Sequence, residues 1–175
     1  MSAPVDFTTA LSRLLAEPRL RREFAADPEG TALLLAGQGP VRHQLLNLSA
    51  DAVEAQAHGL LMKRFHAVQE LLPRTFMRLG PEALCVFGEY AESRWPQGHL
   101  RHLVDAHQFS EFLRRGYAEA LDAAEANRAA FHLSRCRIGM YWAHRTFING
   151  RYRRALQLLY RRRGQVRQVL WFAGL

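Results

Sequence analysis

Apolar residues recur at helical spacing through about the first 130 positions and at alternating spacing after them. Phe7, Leu11, Leu14 and Leu15 fall on one face of a first short helix. Pro18 restarts a second helix with Leu20 and Phe24 inward, and Asp27-Pro28 supplies an N-cap followed by proline at the first helical position. That third helix runs through Leu33, Leu34 and Leu35 to Gly37, and Gln38 to Leu48 reads as a connection. Ser49 caps a longer helix carrying Val53, Leu60, Leu61, Phe65 and Val68, which Pro73 ends or kinks by removing an amide donor. A short helix through Phe76 and Leu79 stops at Gly80. Pro81 starts another, with Leu84, Phe87 and Tyr90 inward. After the Trp95-Pro96-Gln97-Gly98 loop, one long helix is expected over roughly 100–129, with Leu103, Phe109, Phe112 and Leu113 on its apolar side.

The texture then changes. Asn149-Gly150, between Thr146-Phe147-Ile148 and Tyr152 to Tyr160, is a strong hairpin signal. Arg163-Gly164 marks a second turn before Val166 to Phe172, and Arg137 to Trp142 supplies a further strand. Ala155 to Tyr160 also fits a helix. The pattern predicts an α+β fold: a helical domain over residues 1–130, and a small antiparallel sheet of three or four strands over 131–175 packed on it.

Charge follows the same division. From Phe131 to Leu175 there are ten arginines and no Asp, Glu or Lys, while the first 130 residues carry 14 basic and 16 acidic side chains, a balance of −2. A nearly neutral body therefore continues into a tail of about +10, which points to an anionic partner. The plainer alternative is a solvated sheet face kept soluble by arginine. Candidates for the anion-facing surface are Arg137, Arg145, Arg151, Arg153, Arg154 and Arg167, with Tyr141 and Trp142 interleaved. Nucleic acid is a second possible ligand, and six phosphate contacts would give a salt slope near −5. Against it stand Asp105, Glu111, Glu119, Asp122 and Glu125, an acidic balance on the expected 100–129 helix that would repel phosphate.

Other chemistry has little support. Cys85, among Leu84, Val86 and Phe87, reads as a small core residue; Cys136 lies between two arginines with no evident His–Asp pair to activate it. No P-loop, GxSxG, HExxH or dinucleotide motif occurs, so no catalytic role or cofactor is expected of this chain. His99 and His102 could share a helix face, but His107 lies elsewhere on the wheel, and no metal site is expected. The two cysteines lack CxxC spacing, the N-terminus does not read as a signal peptide, and no apolar run approaches the ~18 residues of a membrane span. A cytoplasmic protein with no membrane association is the expectation.

One series of residues resembles a known family. Lys63-Arg64-Phe65, Leu71-Leu72-Pro73-Arg74-Thr75, Leu79-Gly80, Phe87, Tyr90, Trp95-Pro96, and Asp105-Ala106 with Phe109 and Leu113 resemble the bacterial HvfC/BufC group, long labelled a DNA-binding domain. The group is related to the MbnC and TglI partner proteins, and the likeness covers about residues 11–115. It implies a partner subunit without an active site of its own. Such a subunit docks on a TIM-barrel enzyme holding two or three iron ions and recruits a ribosomally made precursor peptide, whose leader can add to the sheet. The iron would reside in the partner enzyme. On this reading the arginines and aromatics named above bind the leader, and Lys63, Arg64, Arg74, Trp95 and His99 are candidates for the enzyme interface, although ordinary packing accounts for Lys63, Arg64 and Arg74 as well.

Overall fold

The computed structural model describes residues 5–172. It is α+β, a series of helices followed by a three-stranded antiparallel sheet. The chain divides into two compact units. The first holds the residues through Lys63 together with Ala91–Trp95; the second holds Arg64–Tyr90 and everything from Pro96 onward.

In the first unit, α1 (Phe7–Ala16), α2 (Pro18–Ala26), α3 (Pro28–Ala36) and α4 (Pro40–Leu46) precede α5 (Ala50–Leu71), within which the division falls. The starts follow from local chemistry. The Asp6 carboxylate accepts from Thr9 N at 2.7 Å, Asp27 accepts from Gly30 N at 2.9 Å, and Ser49 Oγ accepts from Ala52 N at 3.1 Å. Each occupies donors that a helix start leaves unpaired. The expected connection over 38–48 is instead largely α4: Pro40 sits at a first helical position, where its missing N–H costs nothing. The core gathers Leu14, Leu20, Phe24, Leu35 and Leu45 around Val53 and Ala57. Leu33 and Leu34, by contrast, are exposed.

The second unit is built on aromatic rings from α6 (Pro73–Leu79), α7 (Ala83–Ala91) and α8 (Arg101–Gly116). Phe76, Phe87 and Phe109 lie 5.2–6.4 Å apart, and Tyr90 packs 5.3 Å from Phe109. Edge-on and tilted pairs of this kind add about 0.5–1.5 kcal/mol each beyond their buried area. Leu84 and Cys85, expected inward, are exposed; it is Val86 and Phe87 that face the core. The single helix expected over 100–129 is two, α8 and α9 (Ala123–Leu133). Asp122 restarts the chain by accepting from Ala124 N and Glu125 N, both at 3.0 Å.

The sheet has the order β1 (Ile138–Ile148), β2 (Arg151–Arg162), β3 (Gln165–Phe172). Arg137–Trp142 and Thr146–Ile148 thus belong mostly to one strand, and Ala155–Tyr160 is extended, not helical. Asn149 and Gly150 (φ 49° and 78°) and Arg163 and Gly164 (φ 51° and 77°) make the two turns. Positive φ at both central residues matches the twist of the strands they join. The sheet lays one face on α9. Ala143 and Ala155 meet Ala124, and these small side chains permit the close approach. Gln157, fully buried on this face, is satisfied by the Ala124 carbonyl at 2.9 Å, Asn127 at 3.1 Å and Gln168 at 3.3 Å.

Candidate functional site

Strand alternation sorts the C-terminal residues onto two faces. Gly139, Tyr141 and Ala143 are paired with Leu159, Gln157 and Ala155 on the side of α9. A Cβ on Gly139 would lie 2.7 Å from the Tyr141 ring, so a larger residue there would have to push the ring aside. Tyr141 in turn meets Phe131 of α9 edge-on at 6.4 Å. Tyr141 is therefore a packing residue, whereas its neighbour Trp142 is 59% exposed on the other face. The sequence placed them on one surface; the alternation separates them.

That other face is apolar and open. The register aligns Trp142, Leu156 and Trp171 in one row, Met140, Leu158 and Val169 in the next, and Ile138, Tyr160 and Arg167 in a third. Met140 and Ile138 are 66% and 64% exposed, and Trp171 and Val169 are 49% and 38% exposed. A protein surface facing water seldom carries so continuous an apolar patch without a use for it. The sequence signal was present: Ile138, Met140 and Trp142 alternate with Tyr141 and Ala143, so β1 is apolar on both faces, as in a strand covered on both sides.

The arginines collect at the two ends of this sheet. At the β1–β2 turn stand Arg145, Arg151, Arg153 and Arg154, all exposed. A bulge between Ala143 and Thr146 re-aims β1 there. Arg145 lies 4.3 Å and Arg78 lies 4.6 Å from the centre of the Tyr152 ring. At the β2–β3 turn, Arg162, Arg163 and Arg167 line a groove of about 500 Å³ with Tyr160 and Gln165. Arg137 is exposed beside the start of β1, its carbonyl accepting from Arg161 N at 2.9 Å. Among the described residues β1 and β3 each pair on one side only, so each has an unpaired edge.

The residues expected at an enzyme interface do not share one environment. Lys63 and His99 are exposed and Trp95 is half-buried. Arg64 is buried, donating to both Asp105 oxygens at 2.8 Å, and Tyr90 Oη donates to the same carboxylate at 2.7 Å. Arg64 therefore holds α5 to α8 and is not displayed to a partner. Arg74 lies mostly inside a second ionic cluster, with Nε 3.0 Å from Asp122 and 3.3 Å from Glu125. Burial pushes the Glu125 carboxyl above its usual range; the amides of Arg74 and Thr75 act against this, and the Asp122 charge acts with it. His99 and His102 line an apolar pocket of about 250 Å³ with Leu71, Leu100 and Leu103. No group of three or more His, Cys, Asp or Glu side chains suited to a metal occurs among the described residues.

The placement of Asp105, Asp122 and Glu125 corrects the electrostatic expectation for the 100–129 segment. All three are buried against cations or hydroxyls, so they do not form the exposed acidic face that would repel phosphate. Among the described residues no helix is long and apolar enough to cross a membrane. No protein family, curated protein or solved structure matches the chain.

Proposed function

We propose that this chain is a non-catalytic partner subunit of a TIM-barrel enzyme holding multinuclear iron. It captures the leader of a ribosomally made precursor peptide and presents the peptide's reacting residues to that enzyme. The observation that carries the reading is a sheet whose two edges are unpaired among the described residues, with an arginine cluster at each end. An extended leader adds at an edge through main-chain hydrogen bonds, and arginines at the ends select its carboxylates by bidentate pairing. Arg154 and Arg162 stand eight residues apart on β2, so an added strand with acidic residues about eight positions apart, roughly 27 Å, reaches both clusters. The oxidative chemistry belongs to the iron of the enzyme. This chain contributes capture, orientation and a raised local concentration of the reacting residue.

A tagged full-length chain recovered from its native cell extract, with and without nuclease, tests the association. Expected is a stoichiometric iron-bearing barrel protein that survives nuclease; recovery of nucleic acid alone, lost on nuclease treatment, would replace this reading with a DNA- or RNA-binding regulator. Arg153→Glu with Arg154→Glu tests the capture step: both side chains are exposed, so leader affinity should fall while the melting temperature holds.

A further inference from the structure

We infer that the outer face of the sheet docks an amphipathic helix of a partner protein, apolar along the strands and acidic at the end that lies over Arg162, Arg163 and Arg167. The apolar rows stand apart from leader capture, because an added strand occupies an edge and leaves them uncovered; the Arg162 end is the part that both would use.

The dimensions favour a helix. Three strands about 4.8 Å apart make a face roughly 10 Å wide, the diameter of one helix. The rows at Ile138, Met140 and Trp142 are two residues apart, so they extend about 14 Å along the strands, which is ~9 helical residues. Arg162 and Gln165 form the next row beyond Ile138–Tyr160–Arg167. A docked helix therefore carries its acidic residues about one turn past its apolar stripe. Burying the exposed parts of Met140, Trp142 and Trp171 supplies the attraction, and the carboxylates fix direction through charge-assisted bonds.

Composition decides between occupants. Leu156, Leu158, Val169, Met140 and Ile138 fill most of the rows, and Leu156 and Leu158 separate the rings of Trp142, Trp171 and Tyr160, so the face lacks the continuous ladder of aromatics on which successive bases stack. A second copy of the chain is disfavoured by charge. Residues 131–175 carry ten arginines and no acid, so two such faces brought together set arginine against arginine.

The test is a selection of displayed peptides of about 16 residues, long enough for four helical turns, on the full-length protein. Enriched sequences should carry apolar residues at i, i+3 or i+4, and i+7, with Asp or Glu beyond one end of the stripe. Met140→Ser with Trp142→Ser should weaken the best of them by about tenfold or more, as loss of central apolar anchors does. Arg162→Glu with Arg167→Glu reads the same surface by charge at the end of the rows, without touching Met140 or Trp142, and should do likewise, with the melting temperature unchanged. Three results would overturn the inference: no helical, acidic sequence enriched above the Met140→Ser/Trp142→Ser protein; displacement of the selected peptides by oligouridine of similar length; or a wild-type dimer in sedimentation that the serine pair dissolves.

Discussion

Arg161 Nη2 donates to the Phe131 carbonyl at 2.8 Å, while the same guanidinium lies 5.1 Å from the centre of the Phe131 ring. The side chain also donates to the carbonyls of His132, Ser134 and Cys136 at 3.0, 2.8 and 3.0 Å. It thus joins Ser134 N and Oγ on the Phe131 carbonyl, supplies a donor to the next carbonyls where α9 ends, and places a positive charge at the negative end of that helix. One of the ten C-terminal arginines is accordingly a fastening between β2 and α9, although nothing in its sequence context distinguishes it from Arg162 beside it.

Arg161→Met should lower unfolding free energy by about 2–3 kcal/mol, because hydrogen bonds to a charged donor are worth more than neutral ones and several carbonyls lose their partner together. Arg162→Met, in an exposed side chain, should stay within ~0.5 kcal/mol of wild type. Urea denaturation of the two variants checks the contrast, and equal losses would remove the distinction between fastening and surface arginines.

The Arg64–Asp105 pair makes a different demand. Both side chains are buried and Tyr90 shares the carboxylate, so Arg64→Met or Asp105→Leu alone strands a charge. Each single change should cost about 3–5 kcal/mol, and the double change should recover much of it, because two uncharged side chains no longer need each other. Lys63→Glu, one residue away and exposed, is the variant that probes docking on α5 without disturbing the core. A double-mutant cycle in denaturant separates these cases.

Much of the helical architecture was legible. Proline and Asp or Ser caps mark the starts of α2, α3, α5 and α6, and Asn149-Gly150 and Arg163-Gly164 mark both hairpins. The breaks that were missed had local signals of the same kind. Gly116 ends α8, and Asp122 with Glu125 three residues later opens α9, a spacing that recurs at helix starts. The continuous apolar pattern across 100–129 outweighed them. The site was harder to read for a physical reason. Arginine looks alike whether it caps a helix, as Arg161 does, lies inside an ionic cluster, as Arg74 does, or faces solvent, as Arg154 does. Only pairing and register distinguish these, and both are properties of the whole fold.

Register also yields a test on adjacent residues. Tyr141 packs on Phe131 across the inner face, whereas Trp142 is exposed on the outer one. Tyr141→Ser should cost about 2–4 kcal/mol through the cavity it leaves, while Trp142→Ser should change stability by less than ~1 kcal/mol. Chemical denaturation decides, and a larger loss at Trp142 would mean that the two faces of β1 are exchanged.

His132, near the end of α9, provides a pH-dependent check on the same junction. Burial is the main cause that lowers its pKa below the ordinary 6.5, and the charges of Arg128 and Arg161 lower it further. The unfolded chain therefore takes up a proton at this site more readily than the fold. Stability from keeping His132 neutral is fully present above pH 6.5 and is lost as pH falls through the lower folded value. His132→Gln should flatten this part of the stability profile below neutrality. In a histidine NMR titration of the folded protein, His132 should have its midpoint below 6.5, and Arg128→Gln should move it upward without restoring it fully, since burial remains. A wild-type midpoint at or above 6.5 would mean that the ring is more solvated, or farther from the two guanidiniums, than the packing of α9 requires.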